Sequence, residues 1–298
     1  MSWEWPKTDR AGLARYVLPD AAESFDIGIN RNDLSPDADG RRTLLDAIYF
    51  ALQSKQLRYA LEKYNPNEAI QLIRSPSEIL GRKEGTCLDL SLLFCGVCLG
   101  YELLPLMVLT EGHAFAAVSL NHDVRTRDAF DRKERRHFTD ALLTDVDALR
   151  QLVAGGAYVA VECTGFAESE KLPAAHPEGV GRNFRKMLPF ERALAAGQEQ
   201  LNQADRPLVF ALDVAAAHDL GFKVDAEEVQ KHGEGKSTRD IDVGKDLKAR
   251  NSKFKEAIGV KGEAPKDANV SLLDGAELDG VEIGSIIGID SSQSSEKK

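Results

Sequence analysis

A thiol, an imidazole and a carboxylate follow one another along this chain as Cys87, His113 and Glu162, each at the edge of an apolar run. Nucleophilic acyl transfer uses these three side chains: a sulfur to attack, a ring nitrogen to take and return its proton, and an anion to orient the ring. Thr86 with Asp89 three residues on makes a Thr-x-x-Asp capping box, which starts a helix and puts Cys87 in its first turn. Backbone N–H groups without partners gather there and the helix dipole favours negative charge. The thiol pKa is therefore expected to fall, and the same N–H groups can hold an oxyanion. His113 opens an apolar run after Thr110-Glu111-Gly112, and Glu162 closes another, Val159-Ala160-Val161. Asp140 and Asp145 are the alternative carboxylates.

The remaining reactive types have blander readings. Cys95 and Cys98 both fall in mid-helix with no second ligand pair at zinc spacing, so they read as core. Cys163 adjoins Glu162 and by strand alternation points to the opposite face. His122, His137, His176, His218 and His232 lie in charged or loop contexts and receive no role. Gln71, upstream of Cys87, is a candidate second oxyanion donor beside the Cys87 backbone; a polar surface residue is the competing reading. No metal site and no cofactor are expected, because the chemistry is complete with side chains alone.

These residues have to be carried by identifiable elements. Apolar residues recur at helical spacing from 41 to about 64, as Leu44, Leu45, Ile48, Tyr49, Leu52, Leu57 and Leu61, which predicts one or two amphipathic helices. Ser75-Pro76-Ser77-Glu78 is a helix start. From 86 to 100 nearly every residue is apolar, the pattern of a helix buried on all sides. Residues 103–109 and 113–120 form a predicted antiparallel hairpin, followed by a charge-dense insertion at 121–140. A helix near 139–154, a strand at 157–163, a helix near 189–202 and a strand at 207–212 complete the series. Residues 1–40 read as irregular with one short strand, and 223–298 as a flexible tail holding a β-prone segment at 270–289, where glycines 275, 280, 284 and 288 recur.

The 298 residues carry a formal charge of -10 and 43% hydrophobic residues. That allows a sizeable core and argues against a general nucleic-acid binder, which needs positive surface. No apolar stretch approaches a bilayer span and the first residues are unlike a signal peptide, so no membrane partner and a cytoplasmic location are expected. Four cysteines are too few for a disulfide scaffold.

The segments Ile73-Arg74-Ser75-Pro76-Ser77-Glu78-Ile79-Leu80, Gly85-Thr86-Cys87-Leu88-Asp89-Leu90-Ser91-Leu92-Leu93-Phe94 and Gly112-His113-Ala114-Phe115 resemble bacterial transglutaminase-like domains, over roughly residues 40–165 with support from 208–220. The resemblance implies an α+β papain-like fold over 41–222, its nucleophile helix packed on an antiparallel sheet that carries the histidine and acid. It implies a cysteine protease or amidase acting on a protein or peptide substrate, with Cys87, His113 and Glu162 as the triad, and suggests bacterial defence or conflict systems. Two features depart from the family pattern: His113 and Glu162 are unusually far apart in sequence, and the acid is more commonly aspartate. Protein crosslinking and a non-catalytic peptide-binding module on the same fold are the alternatives. For 270–289, docking on a partner protein's sheet edge or in the chain's own cleft is expected.

Overall fold

A computed structural model describes residues 2–61, 68–126, 133–169, 185–204 and 206–223, together with eight short strands between 241 and 290. It divides into two units, Ser2–Asp225 and Ala226–Lys298.

In the first unit the elements run β1 (Ser2–Pro6), α1 (Ala38–Ser54), β2 (Leu57–Tyr59), β3 (Ile70–Arg74), α2 (Pro76–Arg82), β4 (Glu84–Gly85), α3 (Cys87–Gly100), β5 (Leu103–Thr110), β6 (His113–Asp123), β7 (Leu142–Leu143), α4 (Val146–Ala154), β8 (Tyr158–Val161), β9 (Ala167–Glu168), α5 (Phe190–Asn202), β10 (Leu208–Asp213) and α6 (Val214–Asp219). This is a mixed α+β architecture. A five-stranded sheet in the order β7-β10-β5-β6-β8 forms its backbone, β1 pairs with β3, and β2 lies between β4 and β9 in a small third sheet.

Helix α3 is the hub. Leu90, Leu93, Phe94, Cys95, Val97 and Cys98 are all essentially inaccessible, as its uniform apolarity predicts. It packs on β5 and β6 on one side and on the 3-10 turn Pro19–Ser24 on another. Gly96 and Gly100 permit that second contact: a Cβ at Gly96 would lie 2.5 Å from the Leu18 carbonyl oxygen, and one at Gly100 2.3 Å from that of Pro19. The N-terminal residues, irregular but for β1 and three 3-10 turns, thus cover the core helix, with Trp5, Leu13 and Val17 buried in the same core.

Two expectations are corrected. The helical reading of 41–64 holds only to Ser54, since Lys55 caps α1 and Gln56 takes φ +53°; Leu57–Tyr59 is then drawn into β2 by pairing with β4 and β9. Residues 62–67 lie outside the described residues. The helix expected from 139 begins at Val146, because Asp145 caps it through Asp147 N and Ala148 N and the residues before it form β7. Of the charged insertion, 127–132 lies outside the described residues.

In the second unit β11 (Ile241–Val243), β12 (Lys248–Arg250), β13 (Lys253–Phe254) and β14 (Ala257–Lys261) pair in parallel with β15 (Val270–Leu272), β16 (Glu277–Asp279), β17 (Glu282–Ile283) and β18 (Ile286–Asp290), in that order. The β-prone segment thus supplies β15–β18. The rest of the expected flexible tail at 223–298 lies outside the described residues, apart from β11–β14 and the residues up to 223.

Candidate active site

Cys87 is the first residue of α3 and is half-buried. The predicted capping box is present: Thr86 Oγ1 accepts from Asp89 N at 3.2 Å, and Thr86 N donates to Asp89 Oδ2 at 2.9 Å. Asp89 reaches further, accepting from Arg74 N at 2.8 Å and Arg74 Nη1 at 2.7 Å. Burial pushes its carboxyl pKa up against these hydrogen bonds. One wholly buried carboxylate therefore ties the start of α3, where Cys87 sits, to the end of β3.

His113 opens β6, which pairs antiparallel with β8. The first residue of one strand and the residue just after an antiparallel neighbour fall at the same end of a sheet, so Glu162, directly after β8, meets His113 although the two are 49 positions apart in sequence. The chain uses that interval to complete β6, add β7 at the far edge of the same sheet, form α4 and return as β8. His113 Nε2 lies 2.8 Å from Glu162 Oε2, both side chains wholly buried. Of the two alternative acids, Asp140 is exposed and Asp145 is committed to capping α4.

Glu162 is itself held. Its Oε1 accepts from Thr164 N at 3.0 Å and from Thr164 Oγ1 at 2.8 Å, so one oxygen faces the ring and the other is clamped by a 3-10 turn, Cys163–Phe166. Sequence reasoning missed Thr164; the available signal was Glu162-Cys163-Thr164, an acid followed two residues later by a hydroxyl residue at a turn.

Burial alone would lower the imidazole pKa, but the Glu162 charge, then hydrogen-bond-range interaction with Cys87 and with Glu162, outweigh it and raise His113 to about 10. Burial would likewise raise Glu162, yet His113 and Thr164 hold its carboxyl below the usual range. The pair is therefore an imidazolium and a carboxylate at neutral pH. With Nε2 committed to Glu162, His113 Nδ1 is buried and makes no hydrogen bond of normal geometry. It is the nitrogen left for Cys87, whose side chain also raises the pKa of the ring. Catalytic contacts commonly tighten only when substrate binds.

No known family model, curated protein or solved structure matches this chain.

The small third sheet positions the two halves of the site. β4 runs directly into Thr86 and Cys87, and β9 directly follows the turn that clamps Glu162; β2 binds both, pairing Tyr59 with Gly85 and Leu57 with Ala167. Arg58 N donates to Lys83 O at 2.8 Å and Ala60 N to Gly85 O at 2.9 Å.

Gln71 lies on β3, and its side-chain amide donates to the Leu72 carbonyl at 3.3 Å rather than to Cys87, His113 or Glu162. Cys95, Cys98 and Cys163 are fully buried, and burial pushes each thiol well above the ordinary value. That leaves Cys87 as the accessible sulfur. Its backbone N–H, at the first helical position, has no acceptor within the helix and can donate to a developing oxyanion. Among the described residues no three His, Cys, Asp or Glu side chains gather as they would around a metal ion, and no helix is long and apolar enough to cross a membrane.

Proposed function

We propose that the unit Ser2–Asp225 is a cysteine-dependent acyl-transfer hydrolase of the transglutaminase-like, papain-like kind, acting on peptide or glutamine-type amides. The observation that carries this reading is an accessible sulfur at a helix start, beside a buried imidazole that Glu162 keeps protonated at neutral pH.

The Cys87 thiolate attacks the amide carbonyl carbon, and the Cys87 N–H receives the negative charge that develops on oxygen. His113 gives its proton to the departing amine as the C–N bond breaks, leaving a thioester and a neutral ring. That ring, held in orientation by Glu162, takes a proton from water as the water oxygen adds to the thioester. Loss of the thiolate releases the acid and restores the ion pair. A lysine amine in place of water gives an isopeptide crosslink by the same steps. Hydrolysis is the reading favoured by the bacterial resemblance, and a place in bacterial defence goes with it.

The test is a proteome-wide search for new chain termini and deamidated glutamines after incubation with the wild-type protein and with Cys87→Ala. Products that require Cys87 name the reaction and its target. Identical product sets for the two proteins would overturn the proposal.

A further inference from the structure

Every described register pair in the second unit joins residues 29 positions apart: Ile241 with Val270, Lys248 with Glu277, Lys253 with Glu282 and Ala257 with Ile286. One offset across four strand pairs means that β15–β18 repeat β11–β14 one turn further on, as two coils of a parallel winding. β11 packs against β14 and β15 against β18, which closes each turn.

The two coils match in apolarity and invert in charge. Ile241 pairs with Val270, Val243 with Leu272, Phe254 with Ile283, Ile258 with Ile287 and Val260 with Ile289. Lys248, however, pairs with Glu277, Arg250 with Asp279, Lys253 with Glu282 and Lys261 with Asp290. Wherever both partners of a described register pair are charged, a base in the first coil meets an acid in the second. Neighbouring strands lie about 4.8 Å apart, a spacing at which opposite charges in register positions favour pairing and like charges disfavour it.

Among the described residues each of these four sheets has two strands. Among the described residues the outer edge of each coil has no strand partner, and such an edge offers N–H and C=O groups to a further strand. We propose that the occupant of that edge is a second copy of this chain, its first coil laid on the second coil of the copy before it. Repeating the step that relates coil one to coil two produces this contact, with the same 29-residue matching and with a basic coil again on an acidic one. Stacking first coil on first coil would set Lys and Arg against Lys and Arg. The contact is thus head-to-tail and does not close on itself, which gives an open filament. It is independent of the chemistry proposed for Cys87.

The experiment uses the full chain. Wild-type protein is expected to form filaments by sedimentation and electron microscopy, with the roughly 4.8 Å fibre repeat of stacked strands. One variant reverses the first coil alone (Lys248→Glu, Arg250→Glu, Lys253→Glu, Lys261→Glu) and is expected to assemble at least about tenfold less readily, since it sets acid on acid. A second also reverses the other coil (Glu277→Lys, Asp279→Lys, Glu282→Lys, Asp290→Lys), which restores attraction within and between its own copies. It should assemble by itself yet fail to grow on wild-type seeds, where like coils would meet. Because the single reversal also opposes charges within one chain, the seeding result decides. Growth of the doubly reversed protein on wild-type seeds at the wild-type rate would overturn the proposal. So would a wild-type chain that stays monomeric at every concentration, or whose coil edge accepts only a different polypeptide.

Discussion

Nε2 of His113 and Oε2 of Glu162 stand 2.8 Å apart with both side chains sealed from solvent. This places a charged pair where neither partner can be removed without leaving the other exposed to a low-dielectric interior. Such a pair costs about 3–5 kcal/mol when broken from one side. Glu162→Ala is therefore expected to lose stability on that scale as well as reactivity, which makes Glu162→Gln the better probe of its role in chemistry.

Thiol labelling separates an enzyme from a binding module on the same fold. Cys87 is half-buried while the other three cysteines are fully enclosed. Iodoacetamide at neutral pH should modify Cys87 at least about tenfold faster than Cys95, Cys98 or Cys163, and His113→Ala should remove that advantage. Labelling of Cys87 no faster than of Cys95 would favour a module without catalysis.

The pair also sets a pH window. The His113 pKa in the fold is about 10, above the ordinary value of about 6.5. Its proton therefore favours the folded state, with the contribution full below about pH 6.5 and lost as pH rises through about 10. Glu162 is depressed in the fold, so its contribution is present above its ordinary pKa of about 4.3 and disappears as pH falls below it. Urea midpoints of the wild type, compared with those of His113→Gln/Glu162→Gln, should diverge most near pH 5–6 and converge toward pH 10. A difference that stays constant from pH 6 to 10 would mean that the ring carries no proton in the fold.

Thr164→Val keeps the shape of the side chain and deletes the hydroxyl that donates to Glu162 Oε1 at 2.8 Å. Loss of a hydrogen bond to a charged acceptor costs about 1.5–3 kcal/mol. Cys87 labelling should slow with it, because the carboxylate that orients His113 loses one of its two anchors, and Thr164→Ser should restore both. Stability and labelling equal to wild type in Thr164→Val would assign the clamp to the backbone N–H alone.

How much of this was legible in sequence varied with the length of the signal. Thr86 with Asp89, the apolar run to Gly100 and the two strands around Glu111-Gly112 each extend over enough residues for periodicity and capping to decide them. Glu162 could be found because it ends a strand. Thr164 could not be singled out, since a threonine two residues from an acid is common wherever chains turn. β2, β4 and β9 hold three, two and two residues, too few for any period to show, so Leu57 was absorbed into the helical pattern before it. Uniform apolarity announced that α3 is buried, but nothing announced that the carbonyls of Leu18 and Pro19 would lie against Gly96 and Gly100. The repeat at 241–290 escaped for a further reason: residues that correspond in structure carry opposite charges there, and likeness is judged by identity rather than by complementarity.

Arg58 offers a test of the main-chain links in the small sheet. Its N–H donates to Lys83 O, while its side chain is more than half exposed and its contact with Glu84 is long, at 3.8 Å. Arg58→Ala keeps that backbone donor and should leave Cys87 labelling at the wild-type rate. Arg58→Pro removes the donor that Lys83 O accepts from and should cost about 1–3 kcal/mol while slowing Cys87 labelling. If the proline variant labels like wild type, β2 does not position the helix start.

The same bar of peptide groups bears on how this site can diverge. Glu168 can be exchanged for other residues that tolerate an extended backbone, because β2, β4 and β9 are joined through their main chains. One residue inserted between Gly85 and Cys87, or between Glu162 and Ala167, would instead move the sulfur or the acid by a full strand step of about 3.3 Å. Descendants of this chain should therefore vary more in letter than in length across these three stretches, so that indels mark the boundary of the lineage that keeps this geometry better than substitutions do.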